Sequence, residues 1–332
     1  VQSVNLGWTA AIRPRLLHRF DGETMGTRYR VALVSAEVDQ VAAARTAVHA
    51  ALSQVDELMS TYKPSSEVSR LNAMGAGQAL RISPQTFAVL AQAQRVSEVS
   101  EGAFDVTAGP YVNAWGFGPV KQVRVPADDE LAKLALDVGW RHLQLDPEAR
   151  TVTKQRDALY VDLSAIAKGF GADEASRALS ALGLHDHLVD VGGEVRACGR
   201  RADGQAWQVG VERPGSELPG AACHAVPLND CSMATSGDYR ICFHQDGRRY
   251  SHEIDPRKGR PVEHGLALVS VVAPDCMFAD AMATALLVLG PEEGWALAQR
   301  LDLAAYFVQR QSDGGWRHFH SSAFTALGGR AL

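Results

Sequence analysis

The sequence predicts an α+β fold, because its strand-like and helix-like runs are interspersed without keeping strict strand–helix–strand order. Several strand-like runs are joined by short turn signals, which favours hairpins over a doubly wound parallel sheet. No Pro-, Gly- or Ser-rich linker divides the chain, so one domain is expected over 21–332, preceded by an N-terminal arm over 1–20.

Residues 23–34 (ETMGTRYRVALV) are rich in β-formers and predict a strand. Val41, Val48, Leu52, Val55 and Met59 recur at helical spacing and predict an amphipathic helix over 39–59. Ser83-Pro84 sets a hydroxyl cap before a first-turn proline, opening a helix with Phe87, Leu90, Ala91 and Val96 on its apolar face. The Gly- and Pro-rich stretch 109–126 reads as a loop, and a shorter helix covers 128–138. Residues 142–162 read as a hairpin about Asp146-Pro147, followed by a helix over 165–182 that ends at Gly183. Strands are expected at 187–197, at 206–212 with Trp207, Val209 and Val211 alternating, and at 239–245 and 248–254. The apolar run 266–273 (LALVSVVA) predicts a strand buried on both faces. A helix over 279–289 stops at Gly290, and Pro291 opens the next. Strands at 304–310 and 315–320 meet at Ser312-Asp313-Gly314-Gly315.

Of the 332 residues, 46% are hydrophobic and 21% charged, with a formal net charge of −5. That balance provides no global basic field for nucleic acid. Arg13, Arg15, Arg19, Arg28 and Arg30 make the first thirty residues basic, which reads as a solvated arm. No apolar run approaches the ~18 residues of a membrane helix, and no signal segment is recognised. A first residue Val1 reads as a processed or trimmed start. Cys198, Cys223, Cys231, Cys242 and Cys276 lack C-x-x-C spacing, which argues against a disulfide framework or structural zinc. They read mostly as small buried hydrophobes, with one disulfide left open.

The chain carries no G-x-G-x-x-G helix opening, no P-loop, no H-E-x-x-H and no G-x-S-x-G. Asp280 and Thr284 lie four apart in FADAMATALLVLG, on one helix face, and their hard oxygens suit Mg²⁺. They read equally as a helix-start charge and a helix-face residue. Asp162 in YVDLSAIAKGFGAD, with Ser164, Ala165, Lys168 and Gly169, reads as an anion-binding strand-to-helix turn or as a plain N-cap with a solvated lysine. GAFDVTAGPYVNAWGFGP carries Asp105 and the aromatics Phe104, Trp115 and Phe117, which suits a flat ligand or a turn-rich core. His252 in YSHEIDPRKGRP is a candidate acid–base or a structural histidine; His187, His224, His318 and His320 read as structural or exposed.

Taken in order, TMGT (24–27), MSTYKPSSEVSRLN (59–72), GAFDVTAGP (102–110), VDLSAIAKGFGAD (161–173), VDVGGEVRACG (189–199), ATSGDY (234–239), SHEIDPRKGRP (251–261) and ADAMATALLVLG (279–290) span nearly the whole chain. This series resembles the FAD:protein FMN transferase family, also called the ApbE family of flavinyltransferases. The resemblance implies a T-fold-like mixed architecture with the site in a cleft between two lobes. It implies Mg²⁺-dependent transfer of FMN from FAD to a Thr or Ser hydroxyl of an acceptor protein, with release of AMP. Met25, Tyr62, Ala103, Phe104, Asp105, Asp162, Lys168 and Ile254 match the family's FAD-contacting positions. Asp280, Thr284 and the Ala165 carbonyl match its metal ligands, and His252 a histidine that activates the acceptor. Where many relatives carry Asp-x-x-Asp-Thr, Ala283 stands here, so the expected metal set has one carboxylate fewer. The implied partner is a flavoprotein subunit of a membrane redox complex, and the implied location is the periplasm or the outer face of the inner membrane, although nothing in the residues excludes the cytoplasm. A metal-dependent FAD pyrophosphatase and a non-catalytic FAD-binding or storage protein remain as alternatives.

Overall fold

The computed structural model describes residues 15–332 except 36, 119–122, 217, 219 and 240, so the arm over 1–14, with Arg13, lies outside the described residues. Strands β1 (Leu16–Thr24) and β2 (Thr27–Ser35) pair antiparallel about the turn Met25–Gly26. Both turn residues have positive φ, 46° and 70°, as a tight hairpin turn demands. The strand expected over 23–34 is therefore split there, and residues 16–20, expected as arm, belong to a sheet edge.

Helix α1 (Val38–Met59) buries Ala44, Val48, Leu52, Val55 and Met59. A short helix α2 (Glu67–Ala73) and strand β3 (Ala79–Arg81) lead to α3 (Pro84–Val99). The Ser83 hydroxyl accepts from Thr86 N at 3.2 Å, so the cap acts as its sequence suggests. The stretch expected as a loop contains helix α4 (Gly109–Ala114), and α5 (Asp128–Leu134) is shorter than the spacing implied. Strands β4 (Leu143–Asp146) and β5 (Thr151–Lys154) form the expected hairpin, which β3 joins.

Helix α6 (Ala167–Ala181) is followed by β6 (His187–Val191) and β7 (Glu194–Cys198), which turn at Gly192–Gly193 instead of running on as one strand. Then come β8 (Trp207–Glu212), β9 (Ala222–Leu228) and β10 (Ser232–Gly237). Neither β9 nor β10 is legible in the sequence. The run SMATSG has weak strand propensity and is held by its neighbours β7 and the strand at 266–273. Hairpin β11 (Cys242–Gln245) and β12 (Arg248–Ser251) precedes the short pair β13 (Ile254–Asp255) and β14 (Arg260–Pro261). Strand β15 (Leu266–Ala273) is buried at every residue. Helix α7 (Cys276–Arg300) breaks at Gly290, as expected, before Pro291. Strands β16 (Ala304–Arg310) and β17 (Trp316–His320), helix α8 (Ser322–Ala326) and strand β18 (Arg330–Ala331) complete the chain.

The class is α+β. An antiparallel eight-stranded sheet, in the order β1-β2-β6-β7-β10-β15-β16-β17, forms the centre. On one face, α1, α3, α6 and α7 meet it through Val269 and Val271 of β15 and apolar residues of the helices. On the other, Leu268 and Val272 of β15 pack with Trp207, Val211, Val226 and Leu228 of the β18-β9-β8 sheet. Strands β7 and β10 share only the pairs Ser232↔Arg196 and Met233↔Val195, so past Met233 they no longer hold each other. All the described cysteines are free, and Cys223 and Cys276 are buried. No described helix is long and apolar enough to cross a membrane.

His187 ties α6 to the sheet. Its Nε2 lies 2.7 Å from Ser176 Oγ and its Nδ1 2.7 Å from the Leu184 carbonyl. Burial lowers its pKa from 6.5 to about 4. The folded state thus keeps the ring neutral while the unfolded chain protonates it. The associated stability is full above pH 6.5 and is lost as pH falls toward 4. Chemical denaturation at pH 7.5 and 5 is expected to show about 2 kcal/mol of loss from this group, and His187→Gln removes that part of the pH slope.

Candidate active site

A cleft of about 1210 Å³ opens between the helical layer and the β8–β9 side of the molecule. That exceeds the ~300–1,000 Å³ usual for small-ligand pockets and suits an extended dinucleotide. The helical side contributes Ala103, Phe104, Asp105, Asp162, Ala165, Lys168, Asp280 and Thr284; across from them stand Gln208, Val209, Gly210, Glu212, Tyr239, His252 and Ile254. Glu194 and the β10 residues Thr235, Ser236 and Gly237 line it where β7 and β10 part.

At its base, α6 and α7 cross closely enough to place Lys168 beside Asp280. The crossing depends on Gly169, since a Cβ there would lie 2.3 Å from the Cys276 carbonyl oxygen and 2.8 Å from Asp280 Cβ. Gly169 N donates to Asp280 Oδ2 at 2.9 Å. Lys168 Nζ is 2.5 Å from Glu194 Oε1 and 3.8 Å from Asp280 Oδ1. Burial works against the lysine's charge, but Asp280 and Glu194 more than offset it and hold its pKa above the ordinary value. Burial raises the pKa of Glu194, of Asp280 and of Glu253, against the pull of Lys168 in each case.

These residues fit a divalent cation. Asp280 supplies a carboxylate, Thr284 a hydroxyl and Ala165 a main-chain carbonyl, all hard oxygens of the kind Mg²⁺ takes alongside water or phosphate. Thr284 Oγ1 is 2.9 Å from Ser236 Oγ, which adds a second hydroxyl. Glu194 Oε2 is buried without a hydrogen-bond partner, so the acidic charge around Lys168 is not fully compensated by protein groups. Among the described residues no cluster of three or more His, Cys, Asp or Glu could hold a metal by itself.

His252 stands at the join between β12 and β13, with its side chain 30% exposed. Its Nδ1 lies 3.1 Å from the Ile241 carbonyl. A carbonyl only accepts, so Nδ1 carries the proton and the neutral ring offers a lone pair at Nε2. Phe117 packs edge-on against the ring at 6.4 Å between centroids.

The other expected residues take varied places in the structure. Asp162 Oδ1 accepts from Ser164 N at 2.9 Å, which forms the turn into α6 at the cleft wall. Asp105 lines the cleft, but its carboxylate is engaged by Thr107 N, Thr107 Oγ1 and Trp140 N, and burial raises its pKa. Its evident work is to fold the loop. Phe104 is largely committed to the core. Trp115 and Phe117 are not free platforms for a flat ligand: Trp115 packs on Tyr250 at 5.2 Å and Phe117 on Phe243 at 5.6 Å. Met25 and Tyr62 are not among the cleft-lining residues. Met25 occupies the strained β1–β2 turn with its side chain toward Gly171 of α6, and Tyr62 is 74% exposed. Sequence reasoning passed over Glu194, Ser236 and Glu253, although each sits inside a motif quoted for its neighbours: VGGEV, ATSGDY and SHEID.

The profile of the ApbE family matches residues 25–307. The chain is 41% identical over 312 residues to the FAD:protein FMN transferase of Haemophilus influenzae, covering 92% of this chain and 90% of that protein. The FAD:protein FMN transferase of Escherichia coli K12 is 34% identical over 296 residues, covering 88% and 84%. Among solved structures, the flavin transferase ApbE from Vibrio cholerae superposes with a TM-score of 0.85 at 37% identity, covering 95% of this chain and 100% of that one. The apo flavinyl transferase ApbE from Pseudomonas stutzeri gives 0.85 at 38% identity, covering 94% and 97%. With a matching profile over most of its length and relatives of this similarity, the chain belongs to the ApbE family.

Proposed function

We propose that this enzyme binds FAD in the cleft and transfers its FMN half to a Thr or Ser hydroxyl of an acceptor protein. The observation that carries the reading is the meeting, in one cleft, of the Asp280–Thr284–Ala165 oxygen set with Lys168 on one side and His252 on the other. The acceptor oxygen forms a bond to the FMN-side phosphorus as the bond from that phosphorus to the bridging oxygen breaks. AMP departs with the bridging oxygen, and the hydroxyl proton passes to His252 Nε2. Lys168 offsets part of the pyrophosphate charge, and the turn at Asp162–Ser164 helps orient the nucleotide. Asp280, Thr284 and the Ala165 carbonyl would hold Mg²⁺, which supplies neutralisation of pyrophosphate charge when bound. The acceptor class, a flavoprotein subunit of a membrane redox complex, is part of the same proposal.

His252→Asn is expected to lower transfer by about 10²–10⁴-fold, the usual range for loss of an acid–base group, while flavin fluorescence still reports FAD binding. Transfer at the unaltered rate would remove His252 from the chemistry. If the enzyme were instead an FAD pyrophosphatase, AMP would appear with free FMN in the absence of any acceptor; a storage protein would release neither.

A further inference from the structure

Next to His252, and turned into the same cleft, is a carboxylate that the reaction as described leaves unused. We propose that Glu253 is a positioning residue for His252, acting through that ring to stabilise the cation that forms when it takes the acceptor's proton. This rests on the reading of His252 given above.

In a regular strand, consecutive side chains point to opposite faces. Residues 252 and 253 instead form the irregular join between β12 and β13, and both line the cleft. The backbone there is held from two sides: His252 N donates to the Ile241 carbonyl at 3.1 Å, and Val262 N donates to the Glu253 carbonyl at 2.9 Å. The Glu253 side chain is 11% exposed, and its Oε1 lies 3.5 Å from His252 Nε2. Nδ1 is already committed to the Ile241 carbonyl. The ring is therefore gripped at one nitrogen by a neutral acceptor and approached at the other by an acid.

The charged or titratable groups that act most strongly on Glu253 are His252 on its own segment, Asp238 just past β10, Lys168 from α6 and Asp280 from α7. Burial opposes the glutamate's charge, and Asp238 and Asp280 oppose it further, while His252 and Lys168 favour it. A carboxylate in this setting gains most when its neighbour becomes positive. While the imidazole is neutral the interaction is weak. Once Nε2 holds the acceptor's proton, the ring and the largely buried carboxylate form an ion pair. The stabilisation belongs to the charged state reached during transfer and not to the bound ground state, so it acts on kcat and not on FAD affinity.

The test is a double-mutant cycle on the intact enzyme with FAD, Mg²⁺ and a flavinylatable acceptor. Glu253→Gln keeps the shape and removes the charge. It is expected to lower kcat by about 10–100-fold, with KM for FAD changed less than about twofold. Introduced into His252→Asn, the same change is expected to have no further effect on the residual rate. Equal losses in both backgrounds, a rise in KM that accounts for the whole loss, or no loss from Glu253→Gln alone would each overturn the inference. The single variants separate the two layers of the argument. A fully active His252→Asn would overturn the reading of His252 and the positioning role with it. An impaired His252→Asn beside a fully active Glu253→Gln would overturn only the role given to Glu253.

Discussion

Replacing Asp280 with alanine is expected to reduce FMN transfer by about three orders of magnitude, the scale seen when a preorganised electrostatic element is removed. The carboxylate has two jobs in the structure. Oδ2 accepts from Gly169 N, and Oδ1 faces Lys168. Alanine therefore deletes the one carboxylate of the proposed metal set and also leaves a buried N–H unpaired, which costs about 1–3 kcal/mol. Asp280→Asn separates the effects. Its amide oxygen still accepts from Gly169, so the fold is retained, yet it loses the charge. Comparable collapse of transfer in both variants, with near-normal melting only for asparagine, is the expected pattern. Undiminished transfer by Asp280→Asn would remove Asp280 from the chemistry.

A second large effect is expected at a residue that touches no substrate. Gly169→Ala places a methyl group where the Cys276 carbonyl oxygen and Asp280 Cβ stand, and neither is the free end of a flexible side chain. Helix α6 must move off α7, at a cost of about 1–3 kcal/mol for overpacking a filled site. The same displacement carries Lys168 away from Asp280 and Glu194, and Gly169 N away from the Asp280 carboxylate. Loss of stability and of transfer should therefore appear together, measured by thermal denaturation and by rate at a temperature where the variant is folded. A variant that melts normally and transfers normally would show that the helix crossing does not set the site.

Much of this site is legible in the chain because its chemistry sits on regular elements. Asp280 and Thr284 share a helix face by their spacing, and the break at Gly290 follows from a glycine next to a proline. The nearly continuous apolar run 266–273 suggests a strand covered on both sides, and β15 is buried at every residue. What was hidden depends on tertiary support. Strand β10, SMATSG, has weak strand propensity and is held extended by β7 and β15. The Met25–Gly26 turn lies inside a continuous run of β-formers, so local propensity concealed the hairpin. Helix α4 forms in a stretch whose glycines and prolines signal a loop. Glu194 and Glu253 were passed over for a different reason: an isolated glutamate reads as solvated surface, and only the hairpin turn at Gly192–Gly193 and the bend at His252 turn these two inward. The aromatic residues of 104–117 leave two readings open, because rings suited to a ligand are equally suited to one another, and here Trp115 and Phe117 pack on other rings.

The most direct test of the account is intact-mass analysis of an acceptor protein bearing a flavinylation Thr, after incubation with this enzyme, FAD and Mg²⁺. The account predicts an acceptor heavier by one FMN, AMP in equal amount, and loss of both when a chelator removes the metal. Free FMN and AMP in equal amounts with the acceptor mass unchanged would contradict it, and would mark the cleft as a site of FAD hydrolysis.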